Sequence, residues 1–552
     1  MHSPRRTPTL ALILAPVLVL GIPAAPDAAR ACTNFLVTPG ASTDGSTFIT
    51  YSADSHTLYG DLPVLPAGVH AAGDTIAIHD WDSGRFLGRI PQAPVTYAVV
   101  GHINEHQLAI GETTFGGRKA LVDPKGVIDY GSLMFLALQR AKTAREAIDV
   151  MIALVTEHGY ASSGESFSIS DPKEAWILEM VGRGTWGKGV LWVARRVPDG
   201  YVSGHANAAR IRQFPRNDRE TLFAPDIVTF ARDRGWYTGT DADFSFADVY
   251  APADFGARRY CDARVWQFFR RVAPSRPIPA GWIEGAPDAQ PLPLWIKPDR
   301  KLGVRDVMDL MRDHYEGTPY DMSQGVGAGP FGLPYRWRPL EWKSGDQTNF
   351  HERATSTQQT GFSFVAQSRA SLPGPIGGIL WFGVDDTATT VYVPMHAGIL
   401  QAPRAFAPGT ADFRTFSWDS AFWTFNWVSN WVYTRWRDMI VDLRDARQSL
   451  EGAFVAEIPE IDRAALELYR RSPRQAREHL TAYAADRTAA VMDRWRALGQ
   501  QLFVRYMDGN VRDAQGNVTH PPYPAEWTDR IEAERPGFYR VLPIPGQLPD
   551  GE

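Results

Sequence analysis

Runs of alternating apolar and polar residues fill the first half of this chain, and apolar residues at helical spacing fill much of the rest. Thr33 to Val37 is a short β-like run. Residues 46–52 (STFITYS) form a second. Pro39-Gly40 and Asp44-Gly45 between them are turn signals, so the two runs read as a hairpin. Further strands are predicted at residues 97–100, 108–112, 166–170, 175–180 and 191–195. Between them, Leu133, Leu136, Ala137, Ile148, Met151, Ile152 and Leu154 recur at helical spacing. They predict two amphipathic helices within residues 132–160, with Thr143 as N-cap of the second. Strands, helices, then strands again predict an α+β layered domain, with sheet order left open.

Beyond this domain the pattern changes twice. Residues 272–300 are rich in proline and read as a long ordered connection. Strand signals return over 360–400, where Gly374-Pro375-Ile376-Gly377-Gly378 leads into Ile379-Leu380-Trp381-Phe382. Residues 415–500 are mostly helical, and Trp423, Trp427 and Trp431 share one helix face. Such a stripe reads first as packing and second as a ligand platform. Residues 464–498 are Ala/Arg-rich and predict a surface helix pair. Asn517-Val518-Thr519 matches a glycosylation sequon.

The chain opens on a leader pattern. Arg5 and Arg6 precede an apolar run over residues 10–22, and Ala29-Arg30-Ala31 supplies an A-x-A cleavage site. The run is too short for the ~20 apolar residues that span a bilayer. Residues 1–31 therefore predict a signal peptide, and export to the periplasm or medium. The expected division is a signal peptide, a catalytic domain over 32–410 with the Pro-rich insertion, and a helical, Trp-rich region over 411–552. A net charge of −5 gives no footprint for nucleic acid. No later segment is apolar enough to span a membrane. The two cysteines, Cys32 and Cys261, make no disulfide framework.

A cut after Ala31 makes Cys32 the first residue of the mature chain. Its amine, with a reference pKa of about 7.7–8.0, then becomes a base for its own thiol. Asp54 comes back toward the terminus at the end of the hairpin; it either caps a turn or orients the amine. The run Glu112-Thr113-Thr114 ends a strand in carboxylate and hydroxyl groups that suit an oxyanion or a substrate. Asn207, after the strand-like residues 199–202, offers an amide to a tetrahedral intermediate. Arg258 and Arg259 offer a guanidinium for a substrate carboxylate. His102 and His106 have no clear third ligand nearby, so no metal is expected.

These pieces, in this order, resemble the secreted cysteine dipeptidases, of dipeptidase A type, in the N-terminal-nucleophile hydrolase superfamily. The resemblance rests on C-T-N-x-L-V from Cys32, A-S-x-D-G-S-T from Ala41 and the Asp54-Ser55 pair. Asn104 to Glu112, Gly204-His205-Ala206-Asn207 and Trp381-Phe382-Gly383-Val384-Asp385-Asp386 continue it, over about residues 32–440. It implies an αββα four-layer sandwich with the nucleophile at the start of a central strand. It also implies hydrolysis of short peptides through a thioester, with no cofactor. By position it assigns catalytic roles to Cys32, Asp54, Asn207 and Arg259, with Thr114 where related acylases carry an Asn. Tyr51 stands where those relatives place an arginine. The runner-up is an N-acyl amidase of the same superfamily; a non-catalytic Trp-rich protein binding cell-wall glycans or peptides is the alternative of another class.

Overall fold

The computed structural model describes residues 32–338 and 340–542. The leader pattern over residues 1–31 lies outside them. Two antiparallel sheets organise the molecule. The first has seven strands, in the order Trp295–Ile296, Val202–His205, Asn34–Val37, Thr47–Asp54, Thr360–Ser368, Ile379–Val384 and Val393–His396. The second has eight, running from Thr221–Phe223 through Val190–Arg196, Ala175–Gly182, Gly164–Ser170 and Ala109–Gly116 to short strands at Ile103–Asn104, Val99–Val100 and Val64–Leu65. The two sheets touch where Asn34–Val37 and Thr47–Asp54 meet Ala109–Gly116 and Gly164–Ser170.

The hairpin forms as expected, and both strands lie at the centre of their sheet. All eight residues of Thr47–Asp54 are buried. A strand covered on both faces reads as a continuous β-prone run, and TFITYSAD is one. The predicted central strands are present, most of them a residue or two longer. The helices Tyr130–Arg140 and Ala144–His158 cover the outer face of the eight-stranded sheet. Asp129 caps the first, and Thr143 accepts from the Glu146 amide at the start of the second. Each cap is worth about 1 kcal/mol.

On the other side, the helices Ala263–Val272 and Val304–Leu310 pack on the seven-stranded sheet. So do the long helices Trp436–Arg471 and Pro473–Tyr506, at the Val393–His396 edge. The predicted surface pair is thus a hairpin broken at Ser472-Pro473, whose inner faces join the main core. The Trp stripe lies on Ala421–Thr434. Trp427 sits against Gly499, where an added Cβ would lie 1.9 Å from its ring, so only glycine lets these helices approach so closely. The stripe is packing, although Trp423 also lines a small cavity. Within the Pro-rich connection the one regular element is the short strand Trp295–Ile296. No helix among the described residues is long and apolar enough to cross a membrane.

Candidate active site

Strand register decides what surrounds Cys32. Leu36 pairs with Ile49 and Val37 with Phe48, and Thr33 bridges to Ser52. Continued by one residue, that register sets Cys32 opposite Ala53, with Asp54 one residue beyond. A cavity of about 70 Å³ opens there, with Cys32, Tyr51, Asp54, Glu112, Thr114, Trp81, Asp82 and Tyr130 on its walls. The sulfur lies 3.6 Å from Glu112 Oε1 and 3.9 Å from Tyr51 Oη. Both cysteines are free thiols.

Four groups form a proton-sharing wall beside the sulfur. The Tyr51 hydroxyl donates to Glu112 Oε1 at 2.5 Å. The Cys32 thiol donates to the same oxygen. Thr114 Oγ1 donates to Glu165 Oε1 at 2.7 Å. The Glu112 and Glu165 carboxyls are buried side by side, each with an Oε2 that has no other hydrogen-bond partner among the described residues, so a proton on one of them satisfies both. Burial pushes both above the usual carboxylate range, and the charge of Glu112 pushes Glu165 further, so Glu165 keeps the proton. Burial also holds the Cys32 thiol well above its ordinary pKa, and the charges of Glu112 and Asp54 add to the rise. The resting thiol is therefore protonated and aimed at Glu112.

Asp54 is fully enclosed. Arg353 Nη2 lies 2.8 Å from Oδ2, and Thr360 Oγ1 donates to Oδ1 at 2.6 Å. Burial still raises its pKa, more than these partners lower it. The Asp54 backbone amide works against the rise in the Cys32 thiol pKa.

On the opposite side of Cys32 a single buried arginine ties the chain together. Arg264 Nη1 donates to the Cys32 carbonyl at 2.7 Å and to Thr33 Oγ1 at 2.8 Å. Its Nη2 donates to the Ala206 carbonyl and, at 3.0 Å, to Asn207 Oδ1. Its Nε donates to the Tyr260 carbonyl. All five donors of the fork are used. Asn207 has φ +62°, a left-handed conformation that asparagine tolerates. Its side-chain amide donates to the Thr114 carbonyl at 2.8 Å, tying the segment after Val202–His205 to the second sheet.

The structure thus gathers Cys32, Tyr51, Asp54, Glu112 and Thr114 around one cavity, and Asn207 bonds to its wall. Three expected residues are placed elsewhere. Thr113 faces the other side of its strand, where its hydroxyl bonds His205 Nδ1 at 2.7 Å. Arg259 lies over the Tyr320 ring and Arg258 over Trp282. A π-helical turn over Ala257–Asp262 turns both away, and the guanidinium at Cys32 belongs to Arg264. Spacing alone did not single it out. Its signal is a charged residue amid the buried run Ala263, Val265 and Trp266. Arg353, the partner of Asp54, comes from 299 residues away and left no local signal. His102 bonds the Ile110 carbonyl and His106 meets Tyr97 edge to face, which accounts for both rings.

The model of peptidase family C69 matches residues 70–449. The chain belongs to peptidase family C69. The match spans Glu112, Thr114, Glu165, Asn207, Arg264 and Arg353, and begins beyond Cys32 and Asp54. A probable dipeptidase of Salmonella dublin is 26% identical over 408 residues, 69% of this chain and 83% of that protein. A probable dipeptidase A of Streptococcus pyogenes serotype M3 (strain SSI-1) is 27% identical, over 71% of this chain and 81% of its own. A probable dipeptidase B of Streptococcus pyogenes serotype M1 is 21% identical, over 86% of this chain and 92% of its own. The protein is a hydrolase that acts on peptides.

Proposed function

We propose that this peptidase is an exported cysteine dipeptidase of the N-terminal-nucleophile type. The observation that carries the proposal is the placement of Cys32. It precedes a central strand, opens into the cavity, and is held by its own carbonyl to the guanidinium that orients Asn207. Two facing sheets with helices outside them suit the αββα sandwich of that superfamily.

In the proposed sequence, cleavage after Ala31 frees the Cys32 amine. The amine takes the thiol proton, and the thiolate attacks the peptide carbonyl. One N–H of the Asn207 amide is spent on Thr114; the other stabilises the oxyanion, a contribution of about 10²–10³ in rate. The amine's proton passes to the leaving nitrogen as the C–N bond breaks. Water then hydrolyses the thioester and returns the thiol. Arg264 acts through Cys32 and Asn207 as a positioning residue. Glu112, which already accepts the thiol hydrogen, is the competing base.

The test is turnover of alanylalanine against N-acetyl amino acids, on protein whose mass shows a free Cys32 terminus. Turnover of the dipeptide is expected. Turnover of acylated amino acids alone would replace this reading with an acylase. A Glu112→Gln enzyme that keeps its kcat would leave the amine as the base.

A further inference from the structure

The charges around Cys32 are arranged in opposition. On one side stand Asp82 and Glu112, with Glu165 beside Glu112, and among the described residues no lysine or arginine lines that cavity. An ammonium group suits such a wall. On the other side of Asp54 three arginines converge, and two of them are committed. Arg353 is paired with Asp54. Arg336 is paired with Glu352 and also donates to the Met322 carbonyl.

Arg338 differs. Among the described residues no carboxylate lies within ion-pair distance of it. Its Nη2 donates to the neutral amide oxygen of Gln359 at 2.5 Å. It is exposed to solvent on the wall of a depression that it shares with Arg353 and Gln358. Gln358 and Gln359 also line a cavity of about 160 Å³, and that cavity shares Ser55 and Leu58 with the one at Cys32. The cavity lined by Gln358 and Gln359 thus lies between the Arg338 depression and the Cys32 cavity, sharing a wall residue with each. The positive charge of Arg338 is felt at both Asp54 and His56, so it acts on this cleft rather than on a distant surface. Its guanidinium is partly screened from water although the residue reaches the surface, and that screening and the charge of Arg353 lower its pKa to about 10, which still leaves it charged at neutral pH.

We propose that Arg338 is the specificity residue that reads the terminal carboxylate of the substrate. A guanidinium without a carboxylate partner presents a planar fork suited to a carboxylate. Gln359 orients the fork from behind. With an ammonium-accepting wall on the far side of Cys32, the cleft then measures a substrate between its two charged ends. This would confine cleavage to very short peptides. The inference rests on the dipeptidase reading for the identity of the substrate, but not for the preference for a carboxylate.

The experiment is calorimetric binding to the mature Cys32→Ala protein, with alanylalanine and alanylalanine amide as probes. The acid is expected to bind on the order of 30-fold more tightly than the amide. In the Cys32→Ala, Arg338→Met double variant the acid should fall to the level of the amide, with the amide unchanged. Arg338→Lys should restore part of the preference. Equal binding of acid and amide to Cys32→Ala would overturn the proposal. So would an equal loss of both in the double variant, which would mark Arg338 as structural. Turnover by the enzyme with intact Cys32 is a separate readout. An enzyme that cleaves no dipeptide, yet shows the acid preference in binding, would sink the dipeptidase reading and keep this one.

Discussion

Replacing Tyr51 with phenylalanine tests the wall beside the sulfur most sharply. The change removes one oxygen from a buried site and leaves the ring contacts with His102, Phe362 and Phe364 in place. What is lost is the 2.5 Å bond to Glu112 Oε1 and the longer 3.9 Å contact with the Cys32 sulfur. A hydrogen bond to a charged acceptor is worth about 1.5–3 kcal/mol, against about 0.5–1.5 for a neutral one. Because Tyr51 donates to the carboxylate form, its bond lowers the Glu112 pKa against the rise from burial. Removing it raises that pKa further. The sign follows. The bond contributes fully where Glu112 is ionised, and part of it is lost as pH falls through the raised Glu112 value. Tyr51→Phe should therefore cost about 1 kcal/mol more stability at pH 8 than at pH 5. Denaturant unfolding at the two pH values measures this. Alkylation of Cys32 gives a second readout. The lost hydroxyl contact with the sulfur lowers the thiol pKa less than the Glu112 charge raises it, so with Glu112 more readily neutral labelling should be unchanged or faster. An equal stability loss at both pH values, together with slower labelling, would refute the assignment. Tyr51 would then be activating the thiol.

Other consequences are equally specific. Arg264→Lys keeps the charge but has three donors for five acceptors, so Cys32 and Asn207 lose their shared anchor. A displacement of about 1 Å there should cost kcat roughly 100-fold, read in steady-state assays, with a smaller change in KM. Asn207→Gly and Asn207→Ala should both lose about 10²–10³ in kcat through the missing amide. Because φ is +62°, the glycine variant should be the more stable by about 1 kcal/mol in denaturant unfolding. Asp61 has its carboxyl pushed up to about 6 by burial. A raised carboxyl pKa penalises the folded state as pH climbs from the unfolded value through the folded one. Asp61→Asn should thus gain up to about 3 kcal/mol at pH 8 and nothing at pH 4, read from pH-dependent unfolding.

Much of the frame was legible because it is written locally. The hairpin from Thr33 to Asp54 is set by turn residues between two β-prone runs, and it carries Cys32 and Asp54 to the same place. Thr143 announces its helix by a side chain that reaches three residues ahead. Glu112 and Thr114 share one face of a strand end because strand side chains alternate; the same rule sends Thr113 to His205. The arginines were not legible in this way. Arg259 and Arg264 are five residues apart, and a π-helical turn lies between an α-helical expectation and the real facing. The pairings of Asp54 with Arg353 and of Glu112 with Glu165 depend on sheet order and sheet contact, which pattern does not encode. The long C-terminal helices read as a surface pair because their polar outer faces dominate the composition, while the buried residues that join the core are spaced along one side.

The account turns on Cys32 being both the first residue of the mature enzyme and its nucleophile. Intact mass of the exported protein, taken before and after limited iodoacetamide treatment and paired with dipeptide turnover, tests both at once. The prediction is a chain that begins at Cys32, takes up one carboxamidomethyl group at that residue, and loses activity in step with the modification. An active enzyme that begins at another residue, or that keeps its turnover with Cys32 fully alkylated, would contradict it.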